Sequence, residues 1–338
     1  MRRAGSMRTP RLAPLAGWWL VWTAFLFAAP AVRADADDPR AWLDSMNEAL
    51  ASRTYDGEFL HLSNGRVEKM RILHRASGGR ISERLVCLSG SGREIVRSDG
   101  EVQCYLPDQR KVLVESREER GPLLGTLPRF DANVEQHYRL EIVGRARSVL
   151  GRPAPIVAVT PRDAYRFGYR LWIDEQSRMP VRTDLCDAQG NVLEQVLFTS
   201  LNLNVSIPDA AFRPAVRPDG FEWVRQGRGL ATTAEGTGWR LLRLPPGFRL
   251  SSTSQQRLSG NDRPAMHMVL SDGLASVSVF IETPTAARPA ATGQGRVGSA
   301  FAYSTVVRGH QVTAVGEVPP QTVQFIASGV VPAEQARR

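Results

Sequence analysis

Between Asp38 and Leu50 apolar residues recur at steps of three and four, so that Trp42, Leu43, Met46, Ala49 and Leu50 share one side of a helix. Asp38 followed by Pro39 supplies an N-cap and a first-turn proline, and the pattern predicts an amphipathic helix starting there. From Gly57 the period changes. Segments 57–63, 66–75, 80–89, 93–98, 101–106 and 111–116 are short and rich in Val, Ile, Leu, Tyr and Phe. Turn residues divide them: Asn64-Gly65, Gly78-Gly79, Gly90-Ser91-Gly92, Asp99-Gly100 and Pro107-Asp108. This is the pattern of consecutive antiparallel hairpins. An irregular stretch at 121–128 and a short helix near 131–137 precede five more predicted strands, at 138–145, 154–160, 166–174, 179–187 and 192–203.

The run from Arg213-Pro214 to Pro218-Asp219-Gly220 reads as a linker, with 214–219 at its centre. Beyond it, strands are predicted at 221–228, 239–244, 265–271, 275–282, 301–307 and 310–316. A proline-opened helix is predicted over 319–331, with Val323, Ile326 and Ala327 on one face, and a mobile loop over 288–296. The expected chain is mainly β (α+β), with a larger antiparallel unit over 35–213 and a smaller antiparallel-sheet unit over 220–338.

Residues 1–34 stand apart. Arg2, Arg3, Arg8 and Arg11 precede the apolar run Leu15–Ala29, and Val32-Arg33-Ala34 offers a cut before Asp35. This is the layout of a secretory signal peptide, so the mature chain is expected to be exported after cleavage near Ala34. The leader also changes the charge. The whole chain is +9, but residues 1–34 contain five Arg and no acid, leaving +4 without them. Residues 35–213 are near neutral at −1 and residues 214–338 carry +5. With an export signal present, the basic excess points to an acidic partner or anionic lipid and not to nucleic acid.

Candidate chemistry is sparse. His61, His74, His137, His267 and His310 are scattered without metal-ligand spacing. No nucleophile elbow, P-loop or dinucleotide fingerprint occurs, so no catalytic residue, metal site or cofactor is expected. Cys87, Cys104 and Cys186 would meet an oxidising compartment. If Asp99-Gly100 and Gly90–Gly92 are the turns, Cys104 faces Ile95 and Ile95 faces Cys87. The two thiols then stand two strands apart, about 9–10 Å, too far for a disulfide without another register.

Two strands are apolar on both faces. Trp172 alternates with Tyr169, Leu171 and Ile173, while Val196 and Phe198 oppose Leu193, Leu197 and Leu201. Such strands are covered on both sides or line a cavity. Trp42, Met46, Tyr169, Leu171, Trp172, Val196 and Phe198 are therefore candidates to line a lipid cavity, with the Trp42 helix across its mouth.

YRLWID at 169–174 and MPVRTDLCDAQGNVLEQVLFTSL at 179–201 resemble the corresponding stretches of the MucB/RseB family. So do GWRLLRLPPGF at 238–248, SDGLASVSVFIE at 271–282 and GHQVTAVGEVPP at 309–320. The resemblance implies a periplasmic negative regulator of an envelope-stress sigma-E (AlgU-type) factor. Its first domain would be an unclosed antiparallel barrel with helices, of LolA/LolB type. The implied partner is the periplasmic domain of an RseA/MucA-type membrane anti-sigma factor, protected from site-1 proteolysis. Lipid, lipid A or lipoprotein acyl chains are the implied release signal, and a homo-oligomer is compatible with this reading. Within the matched segments Ser271, Asp272, Gly273, Phe280, Glu282 and His310 are the partner-binding candidates. The alternative is a LolA-like carrier of lipoproteins or lipid, which would have no need of residues 220–338.

Overall fold

The structure, a computed structural model, describes residues 38–90, 92–98, 100–116, 130, 134–226, 238–256, 264–286 and 289–333. The leader, the irregular stretch 121–128 and the start of the helix near 131 lie outside them.

Helix α1 (Pro39–Ser52) begins where the sequence places it, with the Asp38 carboxylate accepting the Arg40 amide at 2.9 Å. Its predicted stripe, Trp42, Leu43, Met46, Ala49 and Leu50, is buried. A meander follows: β1 (Tyr55–Ser63), β2 (Arg66–Ser77), β3 (Arg80–Cys87), β4 (Glu94–Ser98), β5 (Glu101–Leu106) and β6 (Lys111–Ser116). The one-turn helix α2 (Val134–His137) leads into a second: β7 (Tyr138–Arg147), β8 (Pro153–Pro161), β9 (Gly168–Ile173), β10 (Pro180–Cys186) and β11 (Val192–Leu203). β11 pairs with β1, which joins the two meanders into one sheet. Helix α1 touches β2, β7 and β8, strands far apart in the sheet order, so the sheet curls around the helix. Its outermost strands do not pair with each other, and the barrel stays unclosed.

The chain leaves this sheet along a held path. Ile207 and Phe212 pack on Leu73, the Arg75 and Arg84 guanidinium groups donate to the Ile207 and Ala211 carbonyls, and the Ala215 amide donates to the Glu94 carboxylate. Strand β12 (Glu222–Gln226) was expected among the strands of the second half, but it pairs parallel with β6 at the edge of the large sheet. The second half then comprises β13 (Trp239–Leu241), β14 (Arg249–Gln256), β15 (Ala265–Ser271), β16 (Ser276–Glu282), β17 (Gly293–Val297), β18 (Ala300–Val307), β19 (His310–Gly316), helix α3 (Pro320–Ser328) and β20 (Val330–Pro332). Six strands form a sheet in the order β14-β15-β16-β19-β18-β17, with α3 against β18 and β19, while β13 pairs with β20. A mainly β chain with a large unclosed antiparallel sheet, helices and a smaller antiparallel sheet is thus the fold expected.

Several local expectations change. The segment 293–297, read as part of a loop, is β17, and 249–256, not read as a strand, is β14. Helix α3 ends at Ser328, since Gly329 turns the chain into β20. Cys104 does oppose Ile95, but Ile95 opposes Leu85 and not Cys87. The Cys87 amide donates to the Arg93 carbonyl, so the connection runs longer than a Gly90–Gly92 turn. All three cysteines are free thiols.

Candidate functional site

The lipid-cavity candidates other than Trp172 lie in or against the core between α1 and the large sheet. Met46, Leu171 and Phe198 are fully enclosed, Trp42 and Val196 nearly so, and Tyr169 and Trp172 are part-buried at the margin. The loop after β9 fixes the helix from outside. Asp174 accepts the Ser177 amide and hydroxyl, Arg178 takes a left-handed φ of 62°, and its guanidinium stacks 3.7 Å from the Trp42 ring centre. Trp172 projects from the opposite face to Leu171, with the Arg182 guanidinium 4.2 Å above its ring. A bulge at Thr199 moves Leu201 onto the face of Phe198, contrary to simple alternation, because β1 pairs Phe59 with Phe198 but Gly57 with Leu201. The space beside Tyr169 and Val196, shared with Thr183 and Leu185, is about 10 Å³.

The partner-binding candidates divide into structural and accessible groups. Asp272 is buried, and its Oδ1 accepts the Leu274 and Ala275 amides. The Ser271 hydroxyl accepts the Gly273 amide and donates to the Ala275 carbonyl, so SDGLA is an internally bonded turn with Gly273 exposed at φ 98°. Phe280 stacks on His267 at 4.5 Å, and burial holds the His267 pKa down. Glu282 is half-buried at the end of β16, and His310 meets the edge of Trp239 at 5.2 Å. Trp239 itself lines an apolar groove of about 410 Å³ with Leu241, Leu244, Leu250 and Met268, and Arg240 contributes the cation.

The sheets meet around Asp272, a partner-binding candidate, at side chains the sequence otherwise did not single out. Arg166 Nη1 donates to Asp272 Oδ2 at 2.5 Å, its Nη2 to the Pro246 carbonyl, and its Nε to Asp163. The Tyr138 hydroxyl donates to the same Asp272 oxygen at 3.1 Å. Tyr138 and Phe248 rings flank the guanidinium. Burial first, and then the Asp272 charge, push the Tyr138 phenol well above its ordinary pKa, keeping it a donor. Gly247 sits at φ 80° with the His137 ring where any Cβ would stand. Leu274 packs, part-buried, against the core of the large sheet, and Thr322 and Gln321 of α3 donate to the Tyr165 and Ala164 carbonyls. A cleft of about 620 Å³, lined by Phe167, Leu193 and Phe301 among others, opens at the same junction. Among the described residues no group of three or more His, Cys, Asp or Glu is placed to hold a metal ion, and no helix is long and apolar enough to cross a membrane.

Comparison with known proteins accounts for both halves. The family model for the MucB/RseB N-terminal domain matches residues 38–216, and that for the MucB/RseB C-terminal domain matches 233–331. The sigma factor AlgU regulatory protein MucB of Pseudomonas aeruginosa is 32% identical, over 98% of this chain and 100% of its own. The sigma-E factor regulatory protein RseB of Escherichia coli K12 is 28% identical, over 92% of this chain and 95% of its own. A chain in the complex structure of P. aeruginosa MucA/MucB is similar with a TM-score of 0.69 and 29% identity, covering 88% of this chain and all of that one. A crystal structure of MucB in complex with MucA(peri) matches equally well. Matched in order across both sheets, this chain belongs to the MucB/RseB family, whose named relatives are sigma-factor regulators and not enzymes.

Proposed function

We propose that this chain is a periplasmic regulator that binds the periplasmic region of an RseA/MucA-type membrane anti-sigma factor. In this reading it shields that region from site-1 proteolysis and releases it when lipid or lipoprotein acyl chains bind. The observation that carries the partner is the likeness, over both sheets, to MucB solved with MucA. Residues 35–213 act as the lipid-sensing unit and 220–338 as the partner-binding unit, joined through 214–219, a division supported by the separate family matches. The groove of Trp239, Leu241, Leu244, Leu250 and Met268, in a half of net charge +5, suits an apolar segment with acidic flanks.

Acyl chains reach the core of the large sheet only if α1 lifts, since that core is packed around it. Burying about six methylenes yields about 5 kcal/mol before binding costs, and a coupling of about 1–3 kcal/mol suffices to change partner affinity about 5–150-fold. Lipid must then bind the released state better than the docked one. The test measures affinity for the purified periplasmic partner while fatty acid or lipid A is titrated in. Affinity falling with lipid, and lost on truncation after Gln226, supports the reading. A spread of lipoproteins in a pulldown, with no membrane-anchored partner, would identify a carrier. N-terminal sequencing of the exported chain should begin near Asp35.

A further inference from the structure

Glu194 leaves β11 on the face of Val196, and Glu317 follows β19 in the smaller sheet. Both carboxylates line one space of about 10 Å³, shared with Tyr169, Thr183, Leu185 and Val196. A volume of that size takes about one water at most. From β1, His61 Nε2 stands 3.0 Å from Glu194, and its Nδ1 lies 3.6 Å from Glu68 of β2. Glu68 in turn faces Arg93 at 3.7 Å. From the smaller sheet, the Ser299 hydroxyl donates to Glu317 at 2.5 Å. Beside this cluster the Asn64 amide, at the β1–β2 turn, donates to the Gly298 carbonyl of the β17–β18 turn at 2.7 Å.

We propose that Glu317 is held protonated beside Glu194 while the two sheets are docked, and that loss of this proton, with that of His61, loosens the smaller sheet from the larger. Two carboxylates brought from opposite sheets to one nearly dry space cannot both ionise cheaply. A proton on Glu317 removes the repulsion, and protonated His61 faces Glu194 at 3.0 Å. The inference stands whether or not lipid or an anti-sigma factor is the ligand.

The sign is the same for both groups. Burial raises the Glu317 pKa most, the Ser299 hydrogen bond opposes it, Glu194 adds to it and His61 opposes it, with a net upward result. The hydrogen bond to Glu194 raises the His61 pKa against its own burial, and Glu68 adds to the rise. Tyr169 stays a neutral phenol, raised first by burial and then by Glu317 and Glu194. A raised folded-state pKa gives stabilisation that is complete below the ordinary value and lost as pH climbs through the raised one. Acid therefore tightens this junction and alkali relaxes it, from about pH 4.5 upward for Glu317 and from about pH 6.5 upward for His61. Each unit by which docking raises a pKa changes the docked-to-loosened ratio about tenfold.

The experiment is hydrogen exchange on the mature chain from pH 5 to about pH 8.5, corrected for intrinsic exchange, reading the 59–64 and 297–318 segments. In the wild-type chain protection of these segments falls severalfold as pH rises, while β15 does not change. Glu317→Gln, neutral and of the same shape, flattens the response, and Glu194→Gln repeats the result on the other sheet. Ser299→Ala, which removes a bond favouring the charged carboxylate, moves the fall to higher pH; a merely structural serine would lower protection at every pH. Wild-type protection independent of pH, or an unaltered pH response in both glutamine variants, overturns the proposal.

Discussion

Arg166 and Asp272 lie 106 residues apart in the chain, and their side chains meet at 2.5 Å with neither exposed. The pair closes the junction between the sheets, and its remaining polar atoms are taken up by Asp163, the Pro246 carbonyl, the Tyr138 hydroxyl and the Leu274 and Ala275 amides. A buried pair so fully bonded contributes more to fixing one arrangement of the halves than to net stability.

Removing one partner leaves the other charge buried. Arg166→Met or Asp272→Leu alone should cost about 3–5 kcal/mol of unfolding free energy, while the double variant recovers much of it. Urea titration of the four proteins measures this. Additive losses would show that the two charges are not coupled.

The row Tyr55–His74–Glu83–Arg97 runs across four neighbouring strands. His74 Nδ1 and Arg97 Nη1 each stand 2.9 Å from a Glu83 oxygen, all three side chains are buried, and Tyr55 stacks on His74 at 4.8 Å. Glu83→Ala removes the carboxylate that both buried bases face and should destabilise by about 3–5 kcal/mol. An additional Arg97→Met should restore part of that in the same urea measurement.

A Cβ on Gly57 would stand 2.7 Å from Phe198 Cε1 and 3.4 Å from Leu201 Cδ1. Gly57→Ala therefore overpacks the core by about 1–3 kcal/mol, and Phe198→Leu in the same chain should relieve it. Thermal unfolding of both variants checks the pairing.

Thiol titration should find three equivalents after unfolding and slow reaction before it. Burial raises the Cys104 and Cys186 pKa values, and Cys87 and Cys186 are buried, so half-buried Cys104 should react first. Fewer than three equivalents under denaturing, non-reducing conditions would reveal a disulfide.

Period and turn residues made most of the fold legible. The α1 stripe and the Asn64-Gly65 and Gly78-Gly79 hairpins stand where local pattern puts them. Strand β17 was missed because Gly293 and Gly295 break any alternation, and all five of its residues are exposed. Leu201 was assigned to the wrong face because a bulge is decided by the partner strand, which its own sequence does not encode. The junction was invisible for a related reason. Arg166 and Asp272 look like ordinary surface charges until the fold buries them together, and neither spacing nor periodicity links positions in different sheets. The segment containing Asp272 did stand out, but the residue spends its carboxylate on Arg166, Tyr138 and its own turn.

The passage from one sheet to the other is a strap, not a tether. Between Ile207 and Gln226 the chain is fastened by Arg75, Arg84, Glu94 and the whole of β12 along β6. A protease cut between Arg213 and Gly220 would therefore nick the chain without freeing the second piece, and the two fragments would elute together from a sizing column. Pulling on the far end must peel β12 from β6 one hydrogen bond after another before any slack is released. In any reorientation of the halves the proline-rich stretch thus travels with the large sheet as ballast.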